Sequence, residues 1–383
     1  MRFFHLSDLH IGLKLMNRDL LEDQKYILNQ ITDLARQEKP DAVVIAGDLY
    51  DKAVPSAEAV EVLSHFVTDL TRALPDAAVM MISGNHDSGP RVDCFRSVLC
   101  RQNLHMIGLP PQTEAEHIEK VVLEDAFGNV NFYLLPFVKP SMVKSVVGAD
   151  SHGNNRSYDE TIRRLIDREH LDDSERNVLV SHQFYLPAGT RAEDVERMDS
   201  EIRTVGNIDE VGSDVLERFD YAALGHIHKP MKAGSGSHRY CGTPLACSVS
   251  EAGQEKGVIL VDLQEKGRAP QITVLPLTPL RQVRVIRGEL KDLLSQACGD
   301  YVTAILTDKA DLDVIDMQDR IRTAFPFLLE IRREGVRKAD YAGDVKAEAL
   351  LNPFELCCAF LKDLDQGEKD ILKDVIHTVQ GVK

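Results

Sequence analysis

The chain has 383 residues, 43% of them hydrophobic and 28% charged, which is ordinary for a water-soluble globular protein. Its net charge of −16, without a basic tail or stripe, argues against nucleic-acid binding, although a bound metal could offset the charge locally. No apolar run is as long as a membrane span, and the start does not resemble a signal peptide. Seven cysteines without a Cys-x-x-Cys pair predict reduced thiols and a cytoplasmic protein.

Three apolar segments in the first part of the chain are each followed by acidic, amide or histidine residues. The segments are 2–7, 41–46 and 77–82, and helical spacing of apolar residues predicts helices between them at 19–38 and 55–74. This order, strand–helix–strand–helix–strand, predicts a parallel sheet. Parallel strands bring their carboxyl ends to one edge of the sheet, where α/β proteins bind their ligands.

The middle of the chain predicts further strands and loops, up to about residue 276. Residues 118–136 are typical of paired strands around a Gly128–Asn129 turn. The other predicted elements are a helix at 91–103, a mobile loop at 139–158, a helix at 158–170, strands at 177–181 and 220–224, and an unpatterned loop at 188–207 that could contact substrate.

A boundary at 276–279 separates the first domain, 1–277, from a region where the pattern starts again. Alternating strand and helix patterns over 281–334 predict a small α+β domain. Residues 335–352 are polar and irregular, as in a linker, and 353–383 have two amphipathic helical stripes. Such a helix pair can pack on its own domain or dock on a partner.

Polar side chains with metal-binding chemistry follow five of the predicted strands. They are Asp8 with His10, Asp48, Asn85, His182, and His226 with His228. Strand alternation would put Asp8 and His10 on one side of the chain. Carboxylate, amide and imidazole ligands suit Mn²⁺, Fe²⁺ or Zn²⁺, and a carboxylate such as Asp48 can bridge two ions roughly 3.5–4 Å apart. The remaining histidines lack such a setting.

The five motifs occur in a fixed order: Asp-x-His, Gly-Asp-x-x-Asp, Gly-Asn-His-Asp, a histidine at a strand end, and Gly-His-x-His. In this order they resemble the calcineurin-like metallophosphoesterase superfamily. The resemblance implies an α/β fold, with a β-sandwich flanked by helices, and two divalent metal ions, for which we expect Mn²⁺. It implies that one ion takes Asp8, His10, Asp48 and His228, and that the other takes Asp48, Asn85, His182 and His226.

Two further residues gain a catalytic interpretation from the resemblance. His86 is similar to the family's catalytic histidine, which stabilises the transition state or protonates the leaving oxygen. Asp51 resembles the carboxylate that holds this imidazole in many members, and the alternative is a cap before the next helix. Asp87 is interpreted as structural support for the turn.

The sequence most resembles the bacterial nuclease branch of the superfamily, whose members work with an SMC-like ATPase. Protein phosphatases continue the second motif with Arg-Gly, whereas Lys52-Ala53 follows Asp51 here. In that branch a capping domain, a linker and a helix pair that docks on the ATPase follow the nuclease domain, as 281–334, 335–352 and 353–383 do here. The resemblance also implies a homodimer, through helices at about 56–74 and 91–103, within a heterotetramer.

We therefore expect a metal-dependent DNA exonuclease and endonuclease that acts on DNA ends and hairpins in repair and recombination. Lys52 and Arg91, and with them Arg96, are candidates for contacts to DNA phosphates, although each could equally be a solvated surface residue. One alternative is a phosphodiesterase for a nucleotide or other small phosphodiester on the same metal core. A scaffold without catalysis is another, but such members usually lack some of the motif residues.

Overall fold

The computed structural model describes residues 1–187, 189–190, 198–201, 209–308, 314–334 and nine residues of the tail, 358, 361, 365–369 and 371–372. By its internal contacts the chain divides into two units, Met1–Glu334 and Gly335–Lys383. The predicted linker at 335–352 and most of the predicted helix pair at 353–383 lie outside the described residues. Within the described part, no helix has the length and apolar character needed to cross a membrane.

The first unit contains eight α-helices and nineteen strands among its described residues. The helices are α1 (Leu21–Glu38), α2 (Ala57–Ala73), α3 (Gly89–Val92), α4 (Arg96–Leu99), α5 (Lys144–Val147), α6 (Tyr158–Asp167), α7 (Leu290–Leu294) and α8 (Val314–Ala324). The strands are β1 (Arg2–Leu6), β2 (Lys14–Leu15), β3 (Arg18–Asp19), β4 (Ala42–Ala46), β5 (Ala78–Ile82), β6 (Leu104–Ile107), β7 (Glu119–Asp125), β8 (Gly128–Leu135), β9 (Arg176–Ser181), β10 (Phe184–Leu186), β11 (Glu210–Gly212), β12 (Tyr221–Leu224), β13 (Met231–Lys232), β14 (His238–Tyr240), β15 (Lys256–Asp262), β16 (Gln271–Leu277), β17 (Val283–Gly288), β18 (Tyr301–Leu306) and β19 (Leu328–Arg333).

Two six-stranded sheets form a sandwich. The first has the order β16-β15-β1-β4-β5-β6, and the second has the order β13-β14-β12-β9-β8-β7. Neighbouring strands from β1 to β6 in the first sheet run parallel, as do β8, β9, β12 and β14 in the second. The predicted β-sandwich is therefore confirmed, and each sheet has one edge at which several strands end.

Apolar side chains fill the space between the sheets and the space between each sheet and its helices. The ring of Phe3 meets those of Phe132 and Tyr221 edge to face at 5.3 and 5.5 Å, which joins the two sheets. On the other face of β1, Phe4 and Leu6 pack with α1 and α2. Strands that are buried on both faces explain the continuous apolar runs of the sequence.

The helix α2 matches its prediction because both of its signals are local. The side chain of Ser56 accepts a hydrogen bond from the backbone N–H of Ala59, which caps the first turn. The helix α1 starts later than predicted, because 14–19 form the hairpin β2–β3. Its turn residues, Met16 and Asn17, have φ of 46° and 70°, as two-residue hairpin turns require.

Two predictions of secondary structure differ from the structure. The segment 91–103 is not one helix: α3 and α4 are separated at Phe95, whose φ of 64° ends helical geometry, and a 3₁₀ turn at Cys100–Gln102 follows. The predicted loop at 139–158 contains α5 and a 3₁₀ turn at Pro140–Met142.

Residues 283–333 form a three-stranded parallel sheet in the order β17-β18-β19, with α7 and α8 between its strands. We call it the three-stranded unit. One face of its sheet packs on α7 and α8 in a separate apolar core. On the other face, Val283 and Tyr301 join the core around α1. Its function as a separate capping domain stays a prediction.

Candidate metal centre

All seven predicted metal ligands meet at the carboxyl ends of the strands. Their positions follow from the topology, since β1, β4 and β5 of the first sheet end opposite β9 and β12 of the second. Asp8 and His10 follow β1, Asp48 follows β4, Asn85 follows β5, His182 follows β9, and His226 and His228 follow β12. Except for Asn85, which is partly buried, all of them are buried.

The backbone of the site is strained at four of these residues. Asp8, His10, Asp48 and His226 have φ of 53°, 42°, 50° and 95°, in the left-handed region that costs non-glycine residues of order 1–3 kcal/mol each. Backbone hydrogen bonds of 3.0 Å, from Asp8 to Gly47 and from His10 to Asp48, hold two of the turns. The expectation of strand alternation through Asp8 and His10 is therefore wrong, because β1 ends at Leu6.

Asp48 lies between two groups of side chains, as a bridging ligand must. Its Oδ2 is 3.5 Å from His10 Nε2 and 3.3 Å from His182 Nε2. In the second group, Asn85 Oδ1 is 3.0 Å from His182 Nε2 and 2.8 Å from His226 Nδ1. This arrangement fits one ion on each side of Asp48.

The first group closes around Asp8. Its Oδ1 is 4.0 Å from His228 Nε2, and His10, His228 and Asp8 offer three atoms within 4.8 Å of one another. The two nitrogens His10 Nε2 and His228 Nε2 are 3.1 Å apart, where at most one can carry a proton for the other. Buried nitrogens and carboxylates that converge in this way fit a divalent cation.

The charges of the site interact strongly in the absence of metal. Burial raises the pKa of Asp8. Burial alone would also raise the pKa of Asp48, but the imidazoles of His182 and His10 hold it well below its usual value. Burial opposes the charged form of His182, yet the carboxylates of Asp48 and Asp8 outweigh it and raise its pKa to about 9.

Two glycines give the ligands room. A Cβ on Gly84 would lie 2.1 Å from Asp48 Oδ1, and a Cβ on Gly225 would lie 1.9 Å from the carbonyl oxygen of Ala46 and 2.7 Å from His182 Nδ1. Only glycine lets these turns approach the ligands so closely. The Gly in Gly-Asn-His-Asp and in Gly-His-x-His thus has a steric reason.

His86 is held at both its backbone and its ring. Its backbone N–H donates to Asp48 Oδ1 at 2.9 Å, and its ring Nδ1 lies 2.9 Å from the backbone carbonyl oxygen of Asp51. The expectation that the carboxylate of Asp51 grips the ring is not what this structure has, because the carbonyl makes the contact. Asp51 is partly buried near His86, and burial raises its pKa. His86 also lies near His10, with ring centroids 4.7 Å apart.

Asp87 fastens two turns of the site to each other. Its carboxylate accepts hydrogen bonds from the backbone N–H groups of Leu49 at 3.0 Å, Tyr50 at 2.9 Å and Gly84 at 2.8 Å. These contacts agree with its interpretation as support for the turn. They also fix Asp48, which directly precedes Leu49.

The sequence reasoning missed a buried network behind His228. The ring Nδ1 of His228 is 2.7 Å from Ser200 Oγ, and that hydroxyl lies 2.9 Å from Glu251 Oε1. Lys256 Nζ donates to Glu251 Oε2 at 2.6 Å and to the carbonyl oxygen of His228 at 3.2 Å. Such partners orient a ligand imidazole. The one available signal was Lys256, a lysine at the start of the apolar run that becomes β15.

The candidate residues for DNA contact lie at the rim of the site or beside it. Lys52 and Arg91 are exposed. Arg96 is paired with Glu119, and its Nη1 lies 3.6 Å from Asp93 Oδ1. Arg96 is therefore engaged within the protein, and Lys52 and Arg91 stay the candidates.

Comparison with known proteins agrees with this geometry. Residues 1–230 match the family model described as calcineurin-like phosphoesterase. Because the match covers more than half of the chain, the protein is a phosphoesterase of that class, a hydrolase with a dinuclear metal site.

A relative narrows the class. The SbcD component of the SbcCD nuclease from Staphylococcus epidermidis is 32% identical over 298 residues, which make up 77% of this chain and 75% of the relative. The chain therefore belongs to the calcineurin-like phosphoesterases and, within them, to the family of SbcD nucleases.

Solved structures with similarity include a dimetal phosphatase from Danio rerio and a protein from Thermus thermophilus. The first is 15% identical and covers 73% of this chain and 99% of its own, with a TM-score of 0.38. The second is 11% identical and covers 71% and 98%, with a TM-score of 0.38. At these scores they add nothing to the assignment.

Proposed function

We propose that the protein is a Mn²⁺-dependent DNA exonuclease and endonuclease that cuts phosphodiester bonds at DNA ends and hairpins. The observation that carries the proposal is Asp48, which lies within 3.5 Å of one imidazole from each ligand group, with His86 held beside both. Mixed oxygen and nitrogen ligands suit Mn²⁺. The name of the related protein, a nuclease, supports DNA as the substrate.

The two ion groups follow the ligand sets given above, with Asp48 shared. Bound there, the ions supply an activated water and positive charge at the phosphorus. The chain itself supplies Asp48 as the fixed point of the site, because this carboxylate also receives the backbone N–H of His86. The histidine is therefore placed relative to the ligand that both ions share.

His86 is the proposed proton donor to the leaving oxygen. A carbonyl oxygen can only accept a hydrogen bond, so the contact with Asp51 places a proton on Nδ1 of the ring. The other nitrogen, Nε2, is then the one that donates to the leaving oxygen when the imidazole is protonated. A positioned acid of this kind typically contributes 10²–10⁴-fold to the rate. Asp51 positions the ring through its backbone.

We propose that the protein works in the cytoplasm with the SMC-like ATPase SbcC, as the relative's name indicates for that protein. The helix pair predicted at 353–383 would dock on SbcC. With a net charge of −16, this chain would hold the scissile phosphate through its metals, Lys52 and Arg91, and SbcC would contribute much of the remaining DNA binding.

A homodimer, and with SbcC a heterotetramer, is the proposed assembly. The side chains of Phe95 and Val98 beside the site are 72% and 60% exposed, and Val60 on α2 is 45% exposed. An apolar surface of this kind is typical of a contact between proteins. Sedimentation velocity of the purified chain tests the dimer, and a monomer at micromolar concentration would exclude it.

The test of the function is degradation of end-labelled duplex and hairpin DNA with Mn²⁺. For His86→Ala we expect a 10²–10⁴-fold loss of cleavage with both Mn²⁺ ions still bound. The control is His152→Ala, because His152 is exposed and lies outside the predicted ligand sets.

Unchanged cleavage by His86→Ala would contradict the assigned role of the residue. If the wild-type protein hydrolyses a small phosphodiester rapidly but leaves DNA intact, the small-molecule phosphodiesterase is the correct function.

A further inference from the structure

Gln24 in the first turn of α1 holds the loop that carries His10. Its side-chain Nε2 donates to the carbonyl oxygen of His10 at 2.7 Å, and its Oε1 accepts from the backbone N–H of Gly12 at 3.0 Å. The side chain is 4% exposed, so water does not replace these bonds readily. One amide thus closes the loop from both ends.

His10 depends on this support more than the other imidazoles do. The Nδ1 of His182 lies 2.7 Å from the carbonyl oxygen of Ala46, and that of His228 lies 2.7 Å from Ser200 Oγ. The Nδ1 of His10 is buried without a hydrogen-bond partner among the described residues. The position of its ring is therefore set by its backbone, which is in the left-handed conformation at φ 42°.

The residue before Gln24 binds the three-stranded unit. Asp23 is fully buried, and its Oδ2 accepts from Arg281 Nη1 and from the hydroxyl of Tyr301, both at 2.8 Å. The guanidinium of Arg281 also lies over the ring of Phe327, 4.4 Å from its centroid. Tyr301 begins β18 and Phe327 precedes β19, so Asp23 is the contact of α1 with two strands of this unit.

We propose that Gln24 is a positioning residue for His10 and that Asp23 couples its position to the three-stranded unit. A movement of that unit pulls on the first turn of α1 and, through Gln24, changes the ion site formed by Asp8, His10, Asp48 and His228. The inference rests on the proposed function, because it concerns the same metal site. It names the contacts by which a change at 283–333 alters metal binding.

The physical basis is that Asp23 and Gln24 share a peptide bond within one helical turn. The first turn cannot follow Asp23 without moving Gln24, since the backbone between them has fixed geometry. Partners that orient metal ligands typically contribute 10–100-fold to metal affinity. A physical path of contacts does not by itself establish coupling, so the measurement has to compare single and double variants.

The experiment is titration of the full-length, metal-free protein with Mn²⁺ by calorimetry, together with electron paramagnetic resonance to tell paired from single ions. We expect Gln24→Ala to weaken one of two sites by about 10-fold or more and to leave the other unchanged. Gln24→Glu keeps the acceptor for Gly12 and loses the donor to His10, so an intermediate affinity is expected. It also serves as the variant that preserves side-chain size.

The coupling is tested by Tyr301→Phe, which removes one hydrogen bond to Asp23 without removing a charge. We expect the same site to weaken by about threefold, as the loss of one hydrogen bond predicts. The double variant Gln24→Ala/Tyr301→Phe should bind no more weakly than Gln24→Ala alone, because the path is already broken.

The matched control is Gln30→Ala, two helical turns further along α1. Gln30 exchanges two hydrogen bonds with the backbone of Thr278, of 2.6 and 3.1 Å, and contacts neither His10 nor Asp23 through them. Its metal affinities should equal those of the wild type.

Three results would overturn parts of the argument separately. Wild-type affinities in Gln24→Ala would exclude the positioning role. A Tyr301→Phe variant that binds Mn²⁺ as Gln30→Ala does, or a fully additive double variant, would exclude the coupling. A wild-type protein that binds no Mn²⁺ would instead contradict the proposed function itself.

Discussion

The sandwich has buried charges at both of its ends, and the two ends differ in how these charges are balanced. At the metal end, Asp8 and Asp48 are buried, and no lysine or arginine of the described part lies within ion-pair distance of either. At the opposite end, where β8 and β9 begin, Arg176 is 1% exposed. Its guanidinium donates to both carboxylate oxygens of Asp125, at 2.5 and 3.0 Å.

The opposite end is complete within the chain. Arg176 also donates to the carbonyl oxygens of Gly128, Leu263 and Gln264 at 2.6–3.1 Å, so it joins the second sheet to the chain that leaves β15 of the first. The metal end has carboxylates and strained turns, but only imidazoles to balance them. A buried charge that the chain does not pair requires a ligand. We therefore expect bound cations to stabilise one end and to leave the other unaffected.

The largest expected effect is that of Asp48→Asn. Loss of the shared carboxylate should lower hydrolysis by about 10³-fold or more, since each ion contributes several kcal/mol to the transition state. It should also abolish stabilisation by metal, which for a wild-type site at 100 times its Kd amounts to about 2.7 kcal/mol. Calorimetric unfolding with and without Mn²⁺ measures this directly.

The control for Asp48→Asn lies at the other end of the sandwich. Asp125→Asn changes the same pair of residue types, and we expect its stabilisation by Mn²⁺ to equal that of the wild type. If Mn²⁺ stabilised Asp48→Asn as much as the wild type, Asp48 would not be the shared ligand, and the comparison of the two ends would fail.

A smaller effect is expected when no ligand is removed. In Gly84→Ala the added methyl group would meet Asp48 Oδ1 at 2.1 Å and the backbone nitrogen of Asp48 at 2.4 Å. The turn must shift, so we expect Mn²⁺ affinity to fall by about 10–100-fold, as when a ligand loses its support. Titration calorimetry is the measurement.

Gly128→Ala is the matched substitution at the opposite end. Gly128 has φ of 94°, and a Cβ there meets no atom within 4 Å. Only the backbone conformation opposes alanine, at a cost of about 1–2 kcal/mol in unfolding free energy, and metal affinity should not change. Equal metal affinities in the two variants would show that Gly84 does not shape the site.

The metal ligands were predictable because they follow apolar strands and have metal-binding chemistry. Asp48 and Asn85 each come directly after a strand pattern, and parallel strands end at one edge. The network of Ser200, Glu251 and Lys256 was not predictable, since these residues have no common spacing and meet only in the fold. Likewise, no pattern distinguishes the carbonyl of Asp51 from its carboxylate as the partner of His86.

The fold shows the same limit. The pair β7–β8 was predictable from the Gly128–Asn129 turn, whereas the hairpin β2–β3 has two residues in each strand, too few for an alternation to appear. The break at Phe95 was missed because a phenylalanine in the left-handed conformation carries no signal in the sequence. Its conformation is imposed by contacts distant in sequence.

The smallest of the three effects is the stability change in Asp125→Asn, and its pH dependence sharpens the comparison. Burial alone would raise the pKa of Asp125, but hydrogen bonds from Arg176, together with the amino group of Met1, hold it well below its usual value. The variant keeps an acceptor for Arg176, so we expect it to lose about 2 kcal/mol of unfolding free energy at pH 7.

A carboxylate with a lowered pKa stabilises the folded state fully above the pKa of the unfolded chain, about 3.9 for aspartate, and loses this contribution as the pH falls towards the folded value. The difference between wild type and Asp125→Asn should therefore be constant from pH 7 to about pH 5 and should shrink below about pH 4. Urea unfolding of both proteins in EDTA across this range measures it, because removal of metal isolates the opposite end. A difference that stayed constant down to about pH 3 would mean that packing, and not the charge of Asp125, stabilises that end of the sandwich.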